Sequence, residues 1–241
     1  SHYTLVDLRN LCIPATPEIK KALALILATS IGPDGGINPS KDIEQSDVCI
    51  NGMFLNYGCY FGTDEEKLRS VVDFIVSQQL ADGGFNCRLN RSGARHSSMH
   101  STISVLEGIR EYIAAGYAFR AEELNRIEGE AQEFLLRHRL FKSDHTGAVI
   151  HPSFLKLVYP PRWRYDILRA LDYFQSVGYP YDERLQDALD ILKEKRLSDG
   201  RWKTQAHHPG EVHFQMEQAG KPSRWSTLRC LRVLEYYDRD A

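Results

Sequence analysis

The sequence predicts an all-α protein, a ring of repeated helical hairpins spanning residues 1–241 as one domain. Three observations carry that prediction. Four Asp-containing loops resemble one another: Gly32–Ile37, Leu80–Phe85, Lys142–Gly147 and Leu197–Trp202. Their aspartates, Asp34, Asp82, Asp144 and Asp199, follow one another at 48, 62 and 55 residues, the mark of a repeat architecture. An amphipathic helical pattern precedes each loop and a different, less charged pattern follows it. Strand signals are weak throughout.

The elements follow in order. Thr16-Pro17 is an N-cap and first-turn pair, so a helix is expected over 17–29. Residues 64–80 place Leu68, Val71, Val72, Ile75 and Val76 on one face. Residues 121–140 do the same with Leu124, Ile127, Ala131, Phe134 and Leu135, and residues 182–196 with Leu185, Ala188, Leu189 and Leu192. These read as helices with one wet side. Between them, 47–61, 97–113, 161–177 and 223–237 carry aromatic, small and unusual polar residues. Pro160-Pro161 and Pro222 mark two of those starts. In each loop Asp bonds nearby backbone and Gly accepts a positive φ. The simplest architecture puts the wet helices outside and the others inside, around a shared centre; an open α-solenoid is the competing arrangement.

Composition sets limits. Of 241 residues 42% are hydrophobic and 26% charged, with a net charge of −2. That suits a globular domain with a sizeable core and gives no footprint for nucleic acid or an anionic membrane. The longest strongly apolar stretch, Ala22–Ala28, is too short to span a bilayer, and no secretory leader is read. The five cysteines, Cys12, Cys49, Cys59, Cys87 and Cys230, are an odd set for a disulfide scaffold and favour a cytoplasmic setting.

The four inner helices align without gaps. Val48–Leu55, Met99–Leu106, Arg164–Leu171 and Arg224–Leu231 share one frame, so Cys49, His100, Tyr165 and Trp225 fall in one column. Asp47 lies two residues before Cys49. A carboxylate, a thiolate and an imidazole make a three-donor set for Zn²⁺ with a fourth position open, as catalytic zinc requires. Cys59 lies ten residues beyond Cys49 on the same helix, about 15 Å away by helix rise, too far to share the metal. Cys87, in a loop, is near enough to substitute. His96 ranks below His100. Arg162, Arg164 and Arg224 suit a phosphate or carboxylate, and Tyr57, Trp163, Tyr165 and Trp225 suit the wall of an apolar pocket. The plainer alternatives are ion pairs for the arginines and core packing for the aromatics. His138, His145 and His151 fit no common metal spacing and are expected to be structural or exposed. Residues 203–222, including His207, His208 and His213, lack periodicity and are expected to form a lid.

Gln79-Leu-Ala-Asp-Gly-Gly-Phe85 resembles the QxxxGGF repeat of the protein prenyltransferase and terpene cyclase superfamily, whose members are α/α toroids. The order Asp47-x-Cys49, then Gly83-Gly84-Phe85, then His100 is similar to the zinc triplet of protein prenyltransferase β-subunits. The resemblance implies an α/α toroid, here a small or incomplete ring, with Zn²⁺ on Asp47, Cys49 and His100. It implies a prenyltransferase-like transferase acting on an isoprenoid or similar hydrocarbon. The chain departs from the β-subunits at Ile50, where they carry Tyr, and at Glu44, where they carry a basic residue; Lys41 fits. It has no Asp-x-Asp-Asp acid and no Asp-rich Mg²⁺ motif, so a squalene-cyclase-like repeat here does not imply cyclase chemistry. The rival expectation is a non-catalytic toroid that binds a lipid or peptide, with any zinc structural.

Overall fold

The computed structural model of the protein describes residues 2–40, 43–88, 92–205 and 214–238. Among these residues nine α-helices form: α1 (His2–Asn10), α2 (Pro17–Thr29), α3 (Val48–Tyr60), α4 (Glu65–Ser77), α5 (Met99–Ala114), α6 (Ala121–Arg137), α7 (Ile167–Ser176), α8 (Gln186–Glu194) and α9 (Arg224–Asp238). The sheet among them has two strands, β1 (Trp202–Lys203) paired antiparallel with β2 (Pro222–Ser223). The protein is mostly helical, as the periodicities predict. The chain divides into two compact units, residues 1–134 and 135–241, each described by itself.

The two helix classes separate by burial. In the first unit α3 is buried continuously from Asn51 to Cys59, whereas α4 buries one stripe, Leu68, Val71, Val72, Phe74 and Ile75. A single stripe suits a helix with one face in water; burial all round requires neighbours on every side. In the second unit α8 is one-sided, burying Ala188, Leu189 and Leu192. The helix α9, expected to belong to the buried class, departs from it. It buries Ser226, Cys230, Val233, Leu234 and Tyr237 but leaves Leu228 and Leu231 exposed.

The helix α3 lies against α5 with the two backbones in contact. A Cβ added at Gly52 would stand 2.4 Å from the Ser104 carbonyl oxygen, and one at Gly108 would stand 2.4 Å from the Gly52 oxygen. Only glycine permits that approach. Further along, Asn56 Nδ2 donates to the Glu107 carbonyl at 3.0 Å. The contacts therefore run 52 to 104 and 56 to 107. The two helices are parallel, and their N-terminal ends, which carry Cys49 and His100, lie side by side. In the second unit α7 and α9 are matched in the same sense. Asp172 accepts from Arg229 Nε at 2.9 Å and Arg232 Nε at 3.0 Å, while Tyr237 donates to the Tyr179 carbonyl at 3.4 Å.

The loop repeat is real at the level of hydrogen bonds. Gly32 N–H donates to the Gly36 carbonyl at 2.8 Å and Gly35 N–H to the Gly32 carbonyl at 3.0 Å. Leu80–Gly84 repeats the pair at 2.9 and 2.9 Å, and Leu197–Arg201 at 2.8 and 2.9 Å. The glycines that close these loops, Gly35, Gly83 and Gly200, have φ of 82°, 95° and 82°, a region that side chains disfavour. The degenerate copy is one residue longer, with Ser143 N–H donating to the Ala148 carbonyl at 2.8 Å. Asp34 and Asp82 then reach forward to the next inner helix. Ser46 N–H donates to Asp34 at 2.7 Å, and Ser97 N–H donates to Asp82 at 2.8 Å. In both cases the serine hydroxyl donates to the same carboxylate. The aspartates thus hold the chain where α3 and α5 begin.

One helix start needs correcting. The prediction of a helix over 161–177 set Arg162, Trp163, Arg164 and Tyr165 on its first turns. The helix α7 starts at Ile167, because Asp166 caps it, accepting Arg169 N–H at 2.8 Å. Arg162 has a φ of 54°, outside helical backbone. These four residues lie ahead of the helix, whereas Arg224 and Trp225 open α9.

Candidate functional site

The apolar residue of three of the four loops is pinned by a polar residue two places beyond the predicted column. Asn51 Oδ1 accepts the Ile37 N–H at 2.6 Å and its Nδ2 donates to the Ile37 carbonyl at 3.2 Å. Thr102 Oγ1 accepts the Phe85 N–H at 3.0 Å, and Thr227 Oγ1 accepts the Trp202 N–H at 3.0 Å. Ile37, Phe85 and Trp202 are each 0% exposed. Their backbone groups have no water and must find a partner in the protein. Asn51, Thr102 and Thr227 occupy one place in the frame that aligns Cys49, His100 and Trp225. The sequence alignment singled out that column but not this one, although three polar residues at one place among apolar neighbours are visible in it.

The same pinning delivers Cys87 to Cys49. Two residues after Phe85, the loop brings the Cys87 sulfur within 3.3 Å of the Cys49 backbone nitrogen, which donates to it. Ser101, on the first turn of α5, donates its hydroxyl to that sulfur at 3.3 Å and accepts the Cys87 N–H at 3.2 Å. Both cysteines are half-buried. The pair splits in acidity. Cys49 is held well above the ordinary thiol value because its S–H is engaged by Cys87; burial and the charges of Cys87 and Asp47 add to this. Cys87 lies below the ordinary value because its sulfur accepts from the Cys49 thiol. Burial opposes that, while the Ser101 hydroxyl and the Cys49 amide reinforce it. Cys87 is therefore the sulfur that favours the thiolate.

Asp47 is the residue before α3. Its side chain makes no capping bond to the helix, and its charge bears on both sulfurs. His100 stands one residue before Ser101 and is half-buried. Among the described residues no three His, Cys, Asp or Glu groups gather closely enough to hold a metal ion as they stand. The donor types suit zinc and sit at two adjoining helix starts. What is assembled is a sulfur pair with a carboxylate nearby. Cys59 is buried further along α3, where burial and the Glu111 charge push its thiol up.

The residues assigned to the pocket wall and anion site have varied settings. Tyr57 is 0% exposed and hydrogen-bonds through its hydroxyl to His2 Nδ1. Tyr165 is 2% exposed, meets Phe154 edge-on at 4.9 Å and donates to the Leu140 carbonyl. Both pack as core. Trp225 stacks on Tyr159 at 5.5 Å, and the Arg164 guanidinium lies 4.7 Å from the centre of the Trp163 ring. Arg162 is half-buried and Arg224 is exposed. The histidines of the third repeat do separate jobs. His138 Nδ1 meets the Lys142 carbonyl at 3.0 Å, His145 is exposed, and His151 caps a 3₁₀ turn by accepting Ser153 N–H at 3.1 Å. Of the expected lid, residues 206–213, with His207, His208 and His213, lie outside the described residues. Its ends are joined by the β1–β2 ladder, and Gly220 N–H donates to the Thr204 carbonyl at 2.8 Å.

No protein-family model matches this chain, and no curated protein matches it. No helix among the described residues is long and apolar enough to cross a membrane. Fold and site together define a mostly helical protein with a repeated loop, and with a thiol pair at the joined starts of two buried helices, α3 and α5.

Proposed function

We propose that the protein is a zinc-dependent, prenyltransferase-like transferase of the α/α-toroid kind, working in the cytoplasm on an isoprenoid or similar hydrocarbon. The observation that supports this reading is that the starts of α3 and α5, which carry Cys49 and His100, lie side by side, with Asp47 heading α3. Asp47, Cys49 and His100 would hold the zinc. Bound zinc would lower the pKa of a substrate thiol and so supply a thiolate nucleophile. The chain's own residues do the rest. Asp34 and Asp82 fix the two helix starts, Ser101 and the Cys49 amide hold the loop cysteine, and the Gly52–Gly108 contact keeps both helices in register. Arg162, Arg164 and Arg224, in the second unit, are the groups suited to a diphosphate leaving group.

A second reading has specific support. Tyr57 and Tyr165 are filled into the core, and Cys87 stands on Cys49 where an open coordination position is wanted. In that reading zinc is structural and closed by Cys87 as a further ligand, and the protein binds a lipid or peptide without turning it over. X-ray absorption on the zinc-loaded protein separates the two, since one sulfur in the shell fits the transferase and two fit the closed site. Equilibrium binding of farnesyl diphosphate, followed by transfer to a cysteine-containing peptide, tests the activity. The transferase reading expects turnover that Cys49→Ala abolishes. Binding without turnover in a zinc-replete sample would count against it.

A further inference from the structure

We propose that Cys49 and Cys87 form a reversible disulfide, making the pair a thiol-oxidation site that responds to peroxides. The inference goes beyond the zinc reading and does not require it. It stands on placement. The two residues come from different segments, α3 and the loop after α4, and the chain brings them together through three fixed points. Phe85 is fully buried and bonded to Thr102. Cys87 N–H donates to Ser101 at 3.2 Å. The Cys87 sulfur accepts from Cys49 N–H at 3.3 Å. A sulfur 3.3 Å from the partner's backbone nitrogen makes the two cysteines direct neighbours, the first requirement for a disulfide. Both residues keep part of their surface open to solvent. Of the other three cysteines, Cys59 and Cys230 are buried, and Cys12 is exposed without a cysteine beside it among the described residues.

The chemistry balances with hydrogen peroxide as the oxidant. The Cys87 sulfur attacks one peroxide oxygen and the O–O bond breaks. Cys87 becomes a sulfenic acid, and the departing hydroxide takes the thiol proton to leave as water. The Cys49 sulfur then attacks the Cys87 sulfur and the S–O bond breaks. The hydroxyl leaves with the Cys49 proton as a second water, and the S–S bond remains. The peroxide is reduced by two electrons and the two thiols are oxidised by two. A dithiol reductant restores both thiols by exchange. The disulfide form has no free thiolate at either position, so oxidation and metal binding at Cys49 exclude each other.

The test uses the full chain, purified under reducing conditions and then freed of reductant. Metal content is measured before and after a chelator, and each sample is treated with a small excess of hydrogen peroxide. Thiols are alkylated and the digest is read by mass spectrometry. The expected product is a peptide pair joined through Cys49 and Cys87, lighter by two hydrogens, absent after dithiothreitol, and formed faster once any zinc is removed. In Cys49→Ser the Cys87 sulfenic acid should accumulate and be trapped by dimedone, a readout that does not depend on the cross-link. Alkylation of both Cys49 and Cys87 after oxidation of chelated, folded protein would overturn the proposal, as would cross-links distributed among all five cysteines. A disulfide in protein that never carries zinc supports this inference while removing the metal reading; zinc present with no disulfide after chelation does the reverse.

Discussion

Gly52→Ala should destabilise the protein even though alanine is the better helix former. In an exposed helix the exchange gains about 1 kcal/mol, because glycine loses more backbone freedom on folding. At Gly52 the added Cβ would stand 2.4 Å from the Ser104 oxygen, 2.6 Å from the Ser104 carbonyl carbon and 2.7 Å from the Val105 Cα. All three are backbone atoms of α5, so no side chain can swing away. Reaching an ordinary contact requires the helices to part by about 1 Å, and overpacking of that kind costs on the order of 1–3 kcal/mol or more. Separation also loosens packing along the rest of the contact, because dispersion falls off steeply with distance. Steric cost should therefore exceed the propensity gain, leaving a net loss of about 1–2 kcal/mol. Gly129, on the exposed face of α6, is the matched control, since a Cβ there meets nothing within 4 Å. Its alanine variant should gain up to about 1 kcal/mol. Urea unfolding followed by far-ultraviolet circular dichroism measures both. Equal or greater stability for Gly52→Ala would refute the backbone contact between α3 and α5, and with it the pairing of the Cys49 and His100 helix starts.

Three further outcomes are expected. Asp82→Ala should cost about 2 kcal/mol in urea unfolding, because it removes a carboxylate that accepts both the Ser97 amide and its hydroxyl, and bonds to charged groups are the stronger kind; a loss no larger than that of an exposed surface alanine would contradict this role. Asp166 is 3% exposed, and burial raises its acid to about 6 against the pull of Arg229 and the Arg169 amide. A folded value above the unfolded one means that its contribution is complete below about pH 4 and is lost as pH rises through about 6, so wild type should lose about 3 kcal/mol relative to Asp166→Asn between those limits; parallel stability curves for the two proteins would show that the carboxyl is not held in this way. Thr102→Val should weaken the loop that carries Cys87 by leaving the buried Phe85 amide without its acceptor, at about 1–3 kcal/mol, and should slow formation of the Cys49–Cys87 cross-link; unchanged cross-linking would separate the pinning from the thiol pair.

Much of this was legible in the sequence because the repeat writes the same solution several times. Asp-Gly turns, one-sided helices and the common frame of the inner helices are local patterns. They led to helix ends within a few residues for α2, α3, α4, α5 and α9. The placing of Cys49 beside the His100 helix start was also legible, since offset 51 in the alignment is the offset at which Asn56 meets Glu107. What the patterns did not carry is tertiary. Nothing in local sequence separates Tyr57 and Tyr165 in a core from the same rings on a cavity wall, because burial is decided by what the neighbours fill. The late start of α7 depended on Arg162 adopting a left-handed backbone and on Asp166 outcompeting Pro160-Pro161 as the helix signal. The Cys87 contact depended on a loop conformation fixed by Ser101 and Thr102, residues whose types are ordinary in a helix and whose roles appear only when the loop is folded back onto it.

The proposed zinc site at the joined starts of α3 and α5 is tested most directly by metal analysis of freshly purified, never-chelated protein. The account predicts about one zinc per chain, lost in both Cys49→Ala and His100→Ala while the helical signal is kept. Protein that is folded, reduced and free of stoichiometric zinc would contradict it.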